Sequence, residues 1–157
     1  MKHKEELRKE FIKKRASYDE DYIQASSKAI ANLFFDSTFF DLTKTISLHV
    51  FLPIKSKNEI DTYHIFNRLK EQYPNVSIIL SQSDFSNGNM RLVEFDSRIP
   101  IEVTKFGIPE PIGGSHIDET TIDMALIPLL VIDKNGNRIG YGKGFYDRFL
   151  SKCSKKC

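Results

Sequence analysis

Met124 to Ile132 is almost wholly apolar, and this run limits the folds open to the chain more than any other feature. Strands wetted on one face alternate apolar and polar residues, whereas a strand covered on both faces by helices need not. The run therefore reads as the central strand of a mostly parallel sheet. The segments before it alternate in the same sense. Thr45 to Leu52 is a β-rich run, Asp61 to Tyr73 carries Tyr63, Phe66 and Leu69 at helical spacing, and Val76 to Leu80 is a short apolar strand. Asn87-Gly88, between Ser81 and the alternating stretch Met90 to Phe95, predicts a hairpin or an extended excursion.

Two helices are expected ahead of the first strand. Residues 2 to 15 are rich in Lys, Arg and Glu, with Leu7 and Phe11 forming a narrow apolar stripe opposite a basic face. Ser17 and Glu20 match a capping box for a second helix, whose buried face reads as Tyr22, Ile23, Ala29, Ile30, Leu33 and Phe34. The fold class expected is α/β, a three-layer α/β/α single domain over residues 1–157 with a mostly parallel central sheet. A chain of 157 residues, 40% of them hydrophobic, fits one core and one site.

The net charge of +2 comes from 23 basic and 21 acidic residues spread along the chain, which argues against a nucleic-acid partner. No run approaches the roughly 18 apolar residues of a membrane span, and the N-terminus lacks a signal-peptide pattern. A soluble, cytoplasmic protein is expected, working as a monomer on small molecules. Cys153 and Cys157 read as incidental reduced thiols, and His3, His49, His64 and His116 fit no metal-binding spacing.

Ligands of open α/β sheets bind beyond the carboxyl ends of the strands, so the site is expected after Ile132. There the chain reads Arg138-Ile139-Gly140-Tyr141-Gly142-Lys143-Gly144-Phe145-Tyr146-Asp147. Gly140, Gly142 and Gly144 allow positive φ and close approach of backbone amides to a ligand. A helix beginning at Phe145 would aim free N–H groups into the same space, which favours an anion such as a phosphate. Lys143 and Arg138 can neutralise a polyphosphate, and Asp147 can hold a magnesium ion. On glycine spacing alone a purely structural turn fits about as well, and Asp147 can equally be a plain helix-terminal acid.

The string Gly140 to Asp147 resembles the signature of the 5-formyltetrahydrofolate cyclo-ligase family, and Phe106-Gly107-Ile108-Pro109-Glu110-Pro111 resembles that family's second motif. Lys4, Leu7 and Arg8 are similar to its K-x-x-L-R opening, and Asn58 to Thr62 to its acidic substrate motif. Ala125 to Pro128, Asp133 and Gly136 fit the stretch leading into the loop. The resemblance implies a fold of the kind shared by sugar-phosphate isomerases and CoA transferases. It also implies ATP-dependent cyclisation of 5-formyltetrahydrofolate to 5,10-methenyltetrahydrofolate, with Mg2+ as cofactor and ATP as co-substrate.

By resemblance, ATP is bound by Lys4, Arg8, Arg138, Gly140, Gly142, Lys143, Gly144, Phe145 and Tyr146. The folate is bound by Leu52, Glu59, Tyr141, Gly142, Lys143, Gly144 and Phe145. Lys143 and Arg138 act in catalysis, and Asp147 is a metal ligand. Glu59 would accept from the pterin's amino and imino groups, its plain alternative being a helix N-terminal acid. Family members usually carry a further strand and an acidic segment after the helix at Phe145, and the domain is expected here without them. Two other readings stay open: a noncatalytic folate- or nucleotide-binding protein of the same fold, and another α/β enzyme acting on a phosphorylated small molecule.

Overall fold

The computed structural model describes residues 3–157, so Lys2 of the basic N-terminal segment lies outside the described residues. The first helix, α1, runs Lys4–Ala16 and ends at Ser17, whose hydroxyl donates to the Lys14 carbonyl at 2.7 Å. The second, α2, runs Glu20–Phe35 and is capped by Asp19, which accepts from the Tyr22 amide at 2.8 Å. The cap of α2 is therefore Asp19 and not the expected Ser17, which is already engaged in closing α1.

The buried line of α2 also differs from the apolar stripe. It passes through Ile23, Ser27 and Ala31, at i, i+4 and i+8, while Leu33 is 71% exposed and Tyr22 and Ile30 also face outward. Ser27 belongs to this line because its hydroxyl is satisfied twice: it donates to the Ile23 carbonyl at 2.6 Å and accepts from the Asp61 amide at 2.8 Å. A polar side chain so paired can be buried at little cost.

The main sheet has five strands: β1 (Ser47–His49), β2 (Ser77–Asp84), β3 (Asn89–Glu94), β6 (His116–Ile117) and β7 (Met124–Ala125), in the order β6-β3-β2-β1-β7. β1 pairs in parallel with β2 and β7, while β3 runs antiparallel to β2 and to β6, so β3 alone is reversed. The expected hairpin joins β2 to β3, with Gly88 at φ 74° in its turn. Two small ribbons complete the strands: β4 (Ile101–Val103) with β5 (Pro109–Pro111), and β8 (Val131–Ile132) with β9 (Arg138–Ile139).

Successive residues of a strand face opposite ways, and the two faces of the sheet bury two cores. Leu48, Val50, Ile78 and Leu80 pack with Ile65, Phe66 and Leu69 of α3 (Tyr63–Gln72). Ile79 and Leu92 face the other way and pack with Phe149 of α4 (Phe145–Lys152). The result is the expected layered α/β/α arrangement.

The run Met124 to Ile132 is not the central strand. Only Met124–Ala125 join the sheet, at its edge, and the ladder ends where the Leu126 amide donates to the His49 carbonyl at 2.9 Å. Pro128 has no N–H with which to continue a ladder, and Val131–Ile132 turn into the separate ribbon with β9. The central place belongs to β1 and β2, where Leu48, His49, Ile79 and Leu80 are fully buried.

Candidate functional site

A cleft of about 670 Å³ opens where the carboxyl ends of β1 and β2 run out, lined by Val50, Phe51 and Leu52 just beyond β1 and by Ser81 and Ser83 of β2. All thirteen residues singled out by sequence line it: Lys4 and Arg8 from α1, Leu52 and Glu59, and Arg138, Gly140 to Asp147 from the loop into α4. The β8–β9 ribbon delivers the loop to the cleft, and α4 begins at its far side.

Two of the three glycines need to be glycine. Gly142 has φ 89°, and a Cβ there would lie 3.1 Å from the Arg8 guanidinium. Gly144, at φ 75°, is the left-handed N-cap of α4, so the helix's free amides open beside it. Gly140, by contrast, has an ordinary φ and open space at its Cβ position, which corrects the expectation that all three supply positive φ. What Gly140 provides is its carbonyl, which accepts from Arg8 Nε at 3.1 Å.

Glu59 is 6% exposed and lies in the turn before α3, whose N-cap is Thr62. It is thus a buried carboxylate facing a cleft and not a helix-terminal acid. Its Oε2 accepts from the Ile54 amide at 2.7 Å and its Oε1 from the Tyr141 hydroxyl at 2.8 Å. The same hydroxyl accepts from Arg15, and Lys57 Nζ stands 4.6 Å from the centre of the Tyr141 ring. Desolvation, reinforced by the Glu59 charge, pushes the Tyr141 hydroxyl well above its ordinary pKa, so it remains a donor. Desolvation and Glu59 push the Tyr146 hydroxyl up in the same way.

Arg138 and Asp147 engage each other, Nη2 to Oδ1 at 2.6 Å, with Asp147 74% exposed and Arg138 22%. Asp147 sits in the first turn of α4. Among the described residues no three His, Cys, Asp or Glu side chains cluster as a metal site. Beneath the loop His49 packs against the rings of Tyr146 and Phe149, and burial lowers its pKa to about 4.

Several contacts escaped the sequence. Arg15 lies seven residues beyond Arg8 on α1, a basic spacing that would have placed it on the same side of the helix. Lys57, Ser81 and Phe85 line the cleft without belonging to any local pattern, and the Phe85 ring meets that of Phe106, the first residue of the second motif, at 4.0 Å.

A layered domain with a glycine-rich, helix-capping loop and a buried carboxylate facing each other at the strand ends is an α/β protein built to hold a small ligand there. The chain matches the 5-formyltetrahydrofolate cyclo-ligase family over residues 1–157, and it belongs to that family. It is 52% identical over 44 residues to 5-formyltetrahydrofolate cyclo-ligase of Mycoplasma genitalium, covering 28% of this chain and 27% of that one. It is 26% identical to the mitochondrial 5-formyltetrahydrofolate cyclo-ligase of Arabidopsis thaliana over 97% of this chain, and spans 58% of that relative's length. The solved structure of Aquifex aeolicus 5,10-methenyltetrahydrofolate synthetase superposes with a TM-score of 0.77 at 29% identity, covering 96% of this chain and 73% of that one. The Mycoplasma pneumoniae synthetase shares the fold, with a TM-score of 0.72 at 20% identity over 99% of this chain and 81% of that one.

Proposed function

We propose that the chain catalyses ATP-dependent cyclisation of 5-formyltetrahydrofolate to 5,10-methenyltetrahydrofolate, releasing ADP and phosphate. The observation that carries this reading is that the family's glycine loop and the buried Glu59 face one another across a single cleft. An anion site and a partner for the pterin ring therefore stand within reach of one bound pair of substrates.

An N-formyl group is an amide, and its oxygen must become a leaving group before N10 can take its place. The γ-phosphoryl passes from the β-phosphate oxygen of ATP to the formyl oxygen, and ADP departs. N10 then attacks the formyl carbon, loses its proton to solvent, and the former formyl oxygen leaves as part of phosphate. Such a path needs alignment and charge stabilisation from the protein and no covalent nucleophile.

The residues suit those tasks. The amides around Gly142 and Gly144 and the start of α4 would hold the phosphates, with Lys143, Arg138, Lys4 and Arg8 balancing their charge. Lys143 and Arg138 would face the transferred group. Each Glu59 oxygen already accepts one bond and has a second lone pair to offer the pterin. Leu52, Tyr141 and Phe145 would form the folate wall, and Tyr146 would back the nucleotide side.

The donor set fits Mg2+, which takes one or two carboxylates and completes its shell with substrate phosphates and water. Asp147 would hold it, exchanging its bond to Arg138 and freeing that guanidinium for phosphate. The ion's contribution would be neutralisation of charge on the polyphosphate. No described helix is long and apolar enough to cross a membrane, and the reading carries with it a cytoplasmic monomer acting on small molecules.

The test is the near-ultraviolet absorbance of the methenyl product on mixing the protein with 5-formyltetrahydrofolate and Mg-ATP. The reading expects product only when ATP is present and a strong loss in Lys143→Ala. Turnover independent of ATP would overturn it, and binding of both substrates without turnover would favour the noncatalytic binding protein instead.

A further inference from the structure

The glycine loop has few backbone bonds of its own, so its shape depends on what grips it from outside. One grip is Arg8 on the Gly140 carbonyl. Glu59 and Arg15 hold the Tyr141 hydroxyl, and a further grip is Arg148, on α4 outside the lining of the cleft. Its Nη2 donates to the Lys143 carbonyl at 2.8 Å, and its Nε donates to the Gly88 carbonyl, in the β2–β3 turn, at 2.7 Å. Sixty residues of chain separate that turn from Arg148.

The fit is close on both sides. Gly88 and Gly144 both have positive φ, and a Cβ would fall 2.3 Å from Arg148 Nη2 at the first and 2.8 Å from Nη1 at the second. Two glycines from separate turns thus form a slot for one guanidinium. Among the described residues no carboxylate pairs with Arg148, so its fork is spent on these two carbonyls. An apolar seam runs beside it, with Phe85 of the same turn 5.1 Å from Phe145, over which Arg148 Cζ stands at 5.6 Å.

We propose that Arg148 is a positioning residue for the nucleotide loop, coupling the β2–β3 turn to Lys143 and to the N-cap of α4. This rests on the reading of the loop as a nucleotide site. A planar fork can bridge two carbonyls at fixed geometry, and a lysine ammonium on a flexible stem cannot reproduce it. The loop's amides are therefore set for phosphate before ligand arrives, and releasing the fork makes the ligand bear the cost of ordering them.

The experiment is calorimetry of a non-hydrolysable ATP analogue with Mg2+ on wild type, Arg148→Ala, Arg148→Lys, Gly88→Ala and the Arg148→Ala/Gly88→Ala double variant, well below each melting temperature. Both Arg148 variants are expected to weaken binding about tenfold or more, lysine failing to rescue, with a smaller rise in the KM for the folate, which shares only part of the loop. Gly88→Ala, which leaves the charge in place and blocks the slot, is expected to do the same, with no further loss in the double variant. Faster amide hydrogen exchange over residues 140–144 in the ligand-free variants is the matching signature. Full rescue by lysine, or variants with lowered melting temperature and unchanged affinity, would overturn the proposal. A wild type that does not bind the analogue would instead sink the nucleotide reading itself.

Discussion

Glu59→Gln keeps the shape of the buried side chain and removes its charge, so it isolates what the carboxylate does. Hydrogen bonds to a charged group contribute about 1.5–3 kcal/mol, against about 0.5–1.5 for neutral pairs. Two pterin donors meeting a neutral amide would together lose about 2–3 kcal/mol, or about 30- to 140-fold in folate affinity. The protein itself loses less, because a glutamine can still accept from the Ile54 amide through its oxygen and donate to the Tyr141 hydroxyl through its nitrogen. Glu59→Ala is harsher on stability, since the buried Ile54 amide would be left unpaired at a further cost of about 1–3 kcal/mol. The assay is calorimetric titration of each variant with 5-formyltetrahydrofolate and, separately, with an ATP analogue. The expected pattern is a large loss for the folate and little change for the nucleotide. A Gln variant that binds folate within about threefold of wild type would refute the carboxylate's role.

Other outcomes follow from the same geometry. Gly142→Ala places a Cβ against the Arg8 guanidinium at φ 89°, a strain of about 1–3 kcal/mol, and should raise the KM for ATP more than that for folate in steady-state kinetics. Asp147→Asn should raise the Mg2+ concentration needed for half-maximal activity, read from a magnesium titration at fixed ATP. His49, its pKa lowered by burial from 6.5 to about 4, is neutral when folded, so its contribution is complete above pH 6.5 and lost as pH falls towards 4. The fall of about 2.5 at 1.36 kcal/mol per pH unit makes this about 3 kcal/mol, so urea unfolding at pH 7 and pH 4.5 should show a smaller acid loss in His49→Leu than in wild type.

The parts of this molecule that the sequence discloses are those whose signal is contiguous. The helix α3 announces itself through Phe66 and Leu69, the β2–β3 turn through Asn87-Gly88, and the loop through glycines packed into a few residues. Errors arise where local pattern and tertiary role part company. An apolar run such as Met124 to Ile132 records burial without saying whether a strand lies at the centre or the edge, and Pro128 decides the matter. In α2 the buried stripe passes through Ser27, invisible to an apolar count because its burial depends on a bond from Asp61. The cleft's framing contacts are non-local: Arg15 meets Tyr141 across 126 residues, and Tyr141 meets Glu59 across 82. No local pattern encodes such pairs, and only folding brings them together.

On this reading the loop between β9 and α4 receives a polyphosphate beside Glu59, whose carboxylate receives a pterin. Calorimetric titration of the folded protein with an ATP analogue, with and without inorganic triphosphate as competitor, tests this. One nucleotide site is predicted, displaced by triphosphate and greatly weakened in Lys143→Ala. A folded protein that takes up no nucleotide, or takes it up equally well with triphosphate present and Lys143 removed, would rule out a polyphosphate site in this loop.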